Sequence, residues 1–243
     1  MPALTPSIDI QRASERMATR IDWLDSRHSF SFGQHHDPKN THFGLLLVSN
    51  HDLIQPDTGF STHPHRDMEI VTWVLDGELE HKDSVGNVGL IYPGLAQRMS
   101  AGSGILHSEI NATKNAAVNL VQMWVVPDTE KVRPGYAQLD INTELAKGGL
   151  VPVASGRGHE AAIPIRQQHA TLWAGRLKPN ERLTLPDAPF VHLYVAKGDV
   201  TLEGVGSLVT EDAARIALTP GLKLEAGPQG AEVLAWEMHA RIA

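Results

Sequence analysis

Residues Gly59 to Glu69 read GFSTHPHRDME, and further along the chain Met99 to Glu109 read MSAGSGILHSE. Each stretch holds two ligand-type side chains separated by one residue: His63-Pro64-His65 in the first and His107-Ser108-Glu109 in the second. Successive side chains of a β-strand point to opposite faces, so residues i and i+2 share a face and each pair can look into one cavity. If the two strands lie across one barrel, three imidazoles and one carboxylate converge. Such a set suits a divalent transition metal such as iron, manganese, nickel or copper and leaves positions for water, substrate or dioxygen. Proline cannot donate to a sheet ladder and is confined to edges, strand starts and bulges, so Pro64 places the HPH segment at a rim near the cavity mouth. The glycines of Ala101-Gly102-Ser103-Gly104 bend the chain just before His107 and allow a tight approach of backbone to the site.

Working outward, turn signals recur at Asp76-Gly77, Gly86-Asn87, Pro93-Gly94, Pro134-Gly135, Gly148-Gly149, Gly198-Asp199 and Pro220-Gly221. Between them lie short apolar or alternating runs, including Gly44–Ser49, Glu69–Leu75, Val118–Val126, Val191–Ala196 and Glu232–Trp236. Many short strands at this spacing argue for a β-sandwich or barrel. Helices are few: Arg12–Arg20 is read as two helical turns and Asp140–Lys147 as a short helix with Asn142 as its N-cap. A boundary falls between Pro127 and Ser155, where charged, Gly and Pro residues replace the strand pattern, dividing residues 1–135 from residues 136–243. The second half repeats the style of the first without its histidine pairs. Near Pro186–Pro189, where HxH would be expected, the chain offers only Pro, Asp, Ala and Pro.

Composition narrows the function classes. At 243 residues the chain can bury a sizeable core, and 42% hydrophobic with 20% charged residues is globular rather than disordered. A net charge of −7 with scattered Lys and Arg gives no basic stripe, so no nucleic acid partner is expected. With no cysteine there is no disulfide framework, zinc finger, Fe–S cluster or thiolate nucleophile, and any metal must be held by nitrogen and oxygen. The opening MPALTPSIDIQRASERM lacks the basic start and apolar run of a secretory signal, and no stretch approaches the ~20 apolar residues of a membrane span. A cytoplasmic protein without membrane contact is the expectation.

The stretch Gly59–Glu69 with Gly77 beyond it resembles the first cupin motif, and Pro93-Gly94 leading to His107 and Asn111 resembles the second. More narrowly, HPHRDMEIVTWVLDGELEHKDSVGN and MSAGSGILHSE resemble the pirin branch of that superfamily, in particular its bacterial members with quercetin 2,3-dioxygenase activity. Trp23–Phe32 (WLDSRHSFSF) matches the family's opening strand and the degenerate second half its C-terminal domain, so the resemblance covers nearly the whole chain. It implies an all-β bicupin: two β-barrel, or jelly-roll, domains in one chain with few short helices. Residues 1–135 would form a metal-binding cupin domain and residues 136–243 a degenerate one without metal ligands. The family's ligands map onto His63, His65, His107 and Glu109. They would hold one divalent transition metal ion, usually Fe(II), with Mn, Ni, Cu, Co or Zn as alternatives. Glu69 occupies the position many other cupins use for their carboxylate, and strand alternation aims it at the face of His65. Glu109 is preferred because it pairs with His107 in the pirin manner.

Imidazole and carboxylate hold a first-row metal without filling its sphere, so a flavonol's adjacent hydroxyl and carbonyl oxygens can chelate it. Coordination lowers the hydroxyl pKa, and Glu109 is the candidate general base that takes the proton. Dioxygen then cleaves the ring with loss of carbon monoxide, the outcome implied by the family. The competing reading is a metal-binding regulatory protein that modulates a protein partner, as described for some pirins; a third is an isomerase on the same scaffold, which needs no oxygen. Other ligand-type residues have plainer readings. His35, His36, Asp37 and His42 fall in a polar loop with turn chemistry. His81 and Asp83 flank a Ser-Val-Gly-Asn turn and read as a solvated hairpin end. His28 and His192 read as packed or surface histidines, Trp73 and Trp124 as core, and His159-Glu160 lacks the later histidine of a zincin helix.

Overall fold

The computed structural model describes residues 5–242. Period-two alternation in the first half resolves into two facing sheets. A seven-stranded sheet runs in the order Gly135–Asp140, Leu95–Ser100, Glu69–Asp76, Val118–Val125, Leu46–Ile54, Leu24–His28, Met17–Ile21. A four-stranded sheet runs in the order Gly59–His65, Ile105–Asn111, Leu79–Asp83, Val88–Ile91. Their inner faces meet in a jelly-roll. The end of this barrel formed by Leu24, Ile54, Val74, Leu79, Ile91, Leu95, Val118 and Leu120 is apolar and closed.

The second half is a nine-stranded arrangement built on two long strands, Phe190–Leu202 and Lys223–Met238, which pair along their length. Register shifts between Val195 and Lys197 and between Gly198 and Val200 let this pair bend through both layers of the barrel. Its interior is filled by aliphatic side chains, among them Leu193, Val195, Val200, Leu208, Leu224 and Val233. The chain is therefore nearly all-β, a pair of cupin domains in sequence.

The two barrels lie back to back on a shared apolar layer in which Trp73, Val121 and Met123 of the first pack with Leu172, Leu234 and Trp236 of the second. Both indoles also find a partner: Trp73 Nε1–H donates to Glu232 Oε1 at 2.7 Å and Trp236 Nε1–H to Met123 Sδ at 3.2 Å. A buried indole N–H left alone would cost about 1–3 kcal/mol, so these contacts help fix how the halves sit. Chain ends reinforce the seam, because Ser7–Gln11 pairs with Ala213–Ala217 in the second half's sheet.

Two helical expectations change. Arg12–Arg20 forms a 3₁₀ turn, Ala13–Glu15, and then the strand Met17–Ile21, because pairing of that strand with Leu24–His28 overrides local helix propensity. The short helix is Asn142–Leu145, and Asn142 is its first residue rather than its cap: its backbone N–H donates to Asp140 Oδ1 at 2.9 Å, and its side chain donates to the Pro93 carbonyl. Among the described residues no helix is long and apolar enough to cross a membrane.

Candidate metal centre

The four-stranded sheet carries the ligand-type side chains. Register places His107 opposite His63, and Ile105 opposite His65, with a bulge before Glu109. Directly opposite residues of an antiparallel pair share a face, so His63 and His107 point together into the barrel. The bulge needs close backbone contact: a Cβ at Gly59 would overlap the Glu109 carbonyl oxygen. Pro64 is exposed on the edge strand, as its missing N–H requires. Gly102, at φ +51, makes the turn ahead of Ile105–Asn111 and leaves no room for a side chain beside the Val132 carbonyl.

Ring centroids of His63, His65 and His107 stand 4.4 to 4.9 Å apart, and one nitrogen from each lies within 4.8 Å of the others. Nε2 of His65 and Nε2 of His107 are buried without a hydrogen-bond partner. His63 donates through Nδ1 to the Ser61 carbonyl at 2.7 Å, leaving its Nε2 as a lone pair. Burial, His107 and His63 hold the His65 pKa down at about 4 against a smaller opposing pull from Glu109. Burial, His63 and His81 hold His107 at about 3. His65 and His107 are thus neutral bases above acidic pH, and orphaned lone pairs that converge are what a divalent ion would satisfy.

Glu109 joins this group through His107: His81, His107 and Glu109 form a second set within 4.8 Å, so two triads share one imidazole. The Glu109 carboxylate accepts Gln122 Nε2–H at 2.7 Å and the Thr72 hydroxyl at 3.3 Å. Gln122 in turn accepts Trp124 Nε1–H at 3.0 Å, which fixes which end of its amide faces Glu109. Glu69, the alternative carboxylate, is elsewhere. It accepts bonds from the Ser100 hydroxyl and the Arg166 backbone N–H and lies 3.9 Å from Arg98, between the barrels rather than in the site.

His81 and Asp83 do not form a solvated hairpin end. Their side chains are fully shut off from solvent, because pairing of Leu79–Asp83 with Ile105–Asn111 sets His81 opposite Glu109 and Asp83 opposite His107. His81 Nε2 lies 3.4 Å from Asp83 Oδ2, and His81 Nδ1 lies 3.4 Å from His107 Nδ1. Burial opposes ionisation of Asp83, but bonds from the Asn87 side chain and amide, from His81 and from the Val85 amide outweigh it and lower its pKa. An ionised Asp83 accepts a hydrogen bond from His81 Nε2–H, His81 Nδ1 accepts from His107 Nδ1–H, and His107 Nε2 is left as the lone-pair atom. Tyr136 stacks on the outer side of His81 at 4.8 Å.

The opposite wall is a polar row that crosses five strands of the larger sheet. His28 pairs with Asn50, Asn50 with Gln122, Gln122 with Thr72, and Thr72 with Gln97. Each comes from a different strand, so only the sheet register brings them together. Trp124 belongs to this wall rather than to the core: it packs edge-on against His65 at 4.8 Å and against Phe32 at 5.6 Å. His28 is buried in the same wall, whereas His36 and Asp37 remain exposed in the polar loop. A cavity of about 420 Å³ opens from these groups, with Ile21, Leu24, Phe32, Phe60 and Trp124 as its apolar lining and His63, His65, Glu109 and Gln122 at its polar end.

A sequence profile described as Pirin matches residues 10–125, and one described as quercetinase C-terminal cupin domain matches residues 152–238. A putative quercetin 2,3-dioxygenase of Mycobacterium tuberculosis is 53% identical over 240 residues, 98% of each chain. The chain belongs to the pirin family. Among other pirins, the quercetin 2,3-dioxygenase of Escherichia coli K12 is 36% identical over 208 residues, 85% of this chain and 89% of that one. The crystal structure of the E. coli bacterial pirin YhhW in complex with nickel(II) superposes with a TM-score of 0.88 at 34% identity, covering 97% of this pirin and all of that chain. The donor set of this pirin, neutral imidazoles beside a carboxylate, fits a borderline divalent ion on its own chemistry.

Proposed function

We propose that this pirin is a mononuclear metal-dependent dioxygenase that opens the heterocycle of flavonols such as quercetin, with the ion held by His63, His65, His107 and Glu109. The observation that carries the reading is the convergence of the buried, unpartnered Nε2 atoms of His65 and His107 beside a cavity to which Phe32, Phe60 and Trp124 contribute aromatic faces. A cavity of about 420 Å³ falls in the range for small-molecule sites, roughly 300–1,000 Å³. Residues 1–135 then form the metal-binding domain, and residues 136–243 the domain that supports it. We assign Fe(II) as the resident ion, with Mn, Ni, Cu, Co and Zn as competitors.

When bound, the ion supplies Lewis acidity toward the flavonol's adjacent oxygens and a site for dioxygen chemistry. Phe32, Phe60 and Trp124 hold the planar ring system and exclude water from it. Glu109 accepts the proton of the flavonol hydroxyl: the substrate O–H bond breaks and a carboxyl O–H forms. Gln122 and Thr72 orient that carboxylate beforehand, so little rearrangement is needed at the moment of transfer. Both atoms of dioxygen enter the products, and the carbon lost leaves as carbon monoxide.

The test is metal-free protein reloaded with each ion in turn, with oxygen uptake, loss of flavonol absorbance and carbon monoxide release followed together. One-to-one consumption of oxygen and flavonol with the Fe(II) form, and its loss in Glu109→Gln at retained metal content, is the expected result. No turnover with any ion, beside a partner protein that binds stoichiometrically, overturns the reading in favour of a regulatory role.

A further inference from the structure

The wall of the metal cavity carries a second carboxyl group that the reaction above does not use. Asp52 is buried and lines the same cavity as Glu109. Sheet register puts Thr19 opposite Ser26 and Ser26 opposite Asp52, with His28 one position further along the same face as Ser26. Their side chains join in an unbroken series. His35 Nε2 is 3.1 Å from Thr19 Oγ1, Thr19 Oγ1 is 2.9 Å from His28 Nε2, His28 Nδ1 is 3.5 Å from Ser26 Oγ, and the Ser26 hydroxyl donates to Asp52 Oδ1. His35 is half-buried beside Gly33 and Gln34, exposed residues at the cavity mouth.

The series has one consistent polarity. With Asp52 ionised, every hydroxyl donates toward it: His35 Nε2–H to Thr19, Thr19 to His28 Nε2, His28 Nδ1–H to Ser26, and Ser26 to the carboxylate. Each link both gives and receives, which is the requirement for moving a proton without moving a molecule. Burial pushes Asp52 up to about 7; the Ser26 hydroxyl and Arg16 oppose that shift and Glu109 adds to it. Burial also lowers the His28 pKa, against a hydrogen bond to the Asn50 side chain, with His35 and Arg16 lowering it further. Asp52 therefore exchanges its proton at little cost near neutral pH, and the lowered His28 pKa favours the neutral ring, which offers one donor and one acceptor nitrogen to the series.

We propose that Asp52, Ser26, His28, Thr19 and His35 form a proton conduit along the cavity wall, carrying the flavonol's proton to bulk water while the substrate fills the cavity. The proposal rests on the dioxygenase reading for its substrate, because a planar ligand seated between Phe32, Phe60 and Trp124 displaces the water that would otherwise carry the proton. Running outward from the reset series, Glu109 hands the flavonol's proton to Asp52 across the cavity, its carboxyl O–H breaking as that of Asp52 forms; Asp52 then passes a proton to Ser26, Ser26 to His28 Nδ1, His28 Nε2–H to Thr19, and Thr19 to His35 Nε2. His35 releases its Nδ1 proton to water. One substrate O–H bond is broken and one hydrated proton formed; rotation of the two hydroxyls and tautomer exchange of the two rings reset the series.

The decisive variant is Thr19→Val, which keeps the side-chain shape and removes the middle link. In zinc-loaded protein mixed anaerobically with quercetin, an indicator dye reads proton release and the absorbance shift reads the bound flavonolate. Thr19→Val is expected to slow release by about tenfold or more at unchanged flavonol affinity, with millimolar imidazole restoring the rate. Unchanged release, or slow release that imidazole does not restore, overturns the conduit. A ligand-free arm separates this from failure of the substrate reading. In metal-free protein at about pH 8.5, nitrogen NMR is expected to find the His28 proton on Nδ1, exchanging with water about tenfold faster than in Thr19→Val. A proton on Nε2 at that pH, or equal exchange in the two proteins, overturns the conduit even if no flavonol binds.

Discussion

The two barrels of this pirin share a scaffold and differ in what fills it. Inside the second, alternate residues of the long strands are Leu193, Val195, Val200 and Leu202, closing on Leu208, Leu224 and Val233. Inside the first, the same inward phase is His81, His107 and Glu109 on one sheet and Asn50, Gln122 and Thr72 on the other. An apolar interior is stable by burial alone. A polar interior is stable when its groups find partners; Glu109, Gln122 and His81 have theirs, while the Nε2 atoms of His65 and His107 are among the buried atoms that do not. What the comparison teaches is that one barrel is filled by aliphatic side chains while the other keeps an open, polar-walled cavity, with the apolar seam joining them.

The largest break in this comparison comes from His107→Ala. It removes the imidazole that both triads share and is expected to weaken metal binding by more than the roughly 10–100-fold typical of losing an outer partner, with turnover abolished. Metal content after dialysis, set against unchanged circular dichroism, checks it. Leu193→Ala tests the other barrel. Emptying a fully buried leucine site should cost about 2–5 kcal/mol in denaturant unfolding while the metal stoichiometry of the folded fraction stays the same.

Acid gives the next effect. Burial holds His192 at about 3, so between that value and the ordinary imidazole value near 6.5 the unfolded chain binds the proton and the folded one does not. Stability conferred by neutral His192 is present above about pH 6.5 and is lost as pH falls, by about 2 kcal/mol at about pH 5. Unfolding curves of wild type and His192→Gln should diverge in that window, and parallel curves would remove His192 from the account. Asp83→Asn leaves the fold and the three imidazoles in place but withdraws the carboxylate that sets the His81 and His107 tautomers; metal affinity should fall roughly 10-fold or more, read by competition with a chelating dye. The smallest expected effect is Trp124→Leu, which keeps an apolar wall but loses the aromatic face and the N–H that orients Gln122: kcat/KM for flavonol should drop about tenfold, in line with ~0.5–1.5 kcal/mol for an aromatic contact.

Much of this was legible from short windows. HPH and HSE announce their shared faces because strand alternation acts over two residues, and neither needs a distant contact to be read. The Leu79–Asp83 strand carries the same signal in His81 and Asp83, but the Ser-Val-Gly-Asn turn beside it speaks for solvent, and only pairing with Ile105–Asn111 turns that face inward. Gln122 and Trp124 were hidden in an apolar run, where a polar residue has no neighbour in sequence that explains it. Glu69 shows the opposite failure: alternation permits it to face the site, and the second barrel's Arg166 amide and the nearby Arg98 and Ser100 claim it instead.

By itself the sequence determined the strand-rich architecture, the division into a half with the paired histidines and a half without them, and the restriction of any metal to nitrogen and oxygen ligands, because alternation, turn residues and the absence of cysteine are local properties of the chain. Tertiary structure alone decided the row from His28 to Gln97, the burial of Asp83, the place of Trp124 on the cavity wall and the series from His35 to Asp52. Those depend on cross-strand register, which joins residues far apart in the chain and is set only when both faces of a sheet have found what they pack against.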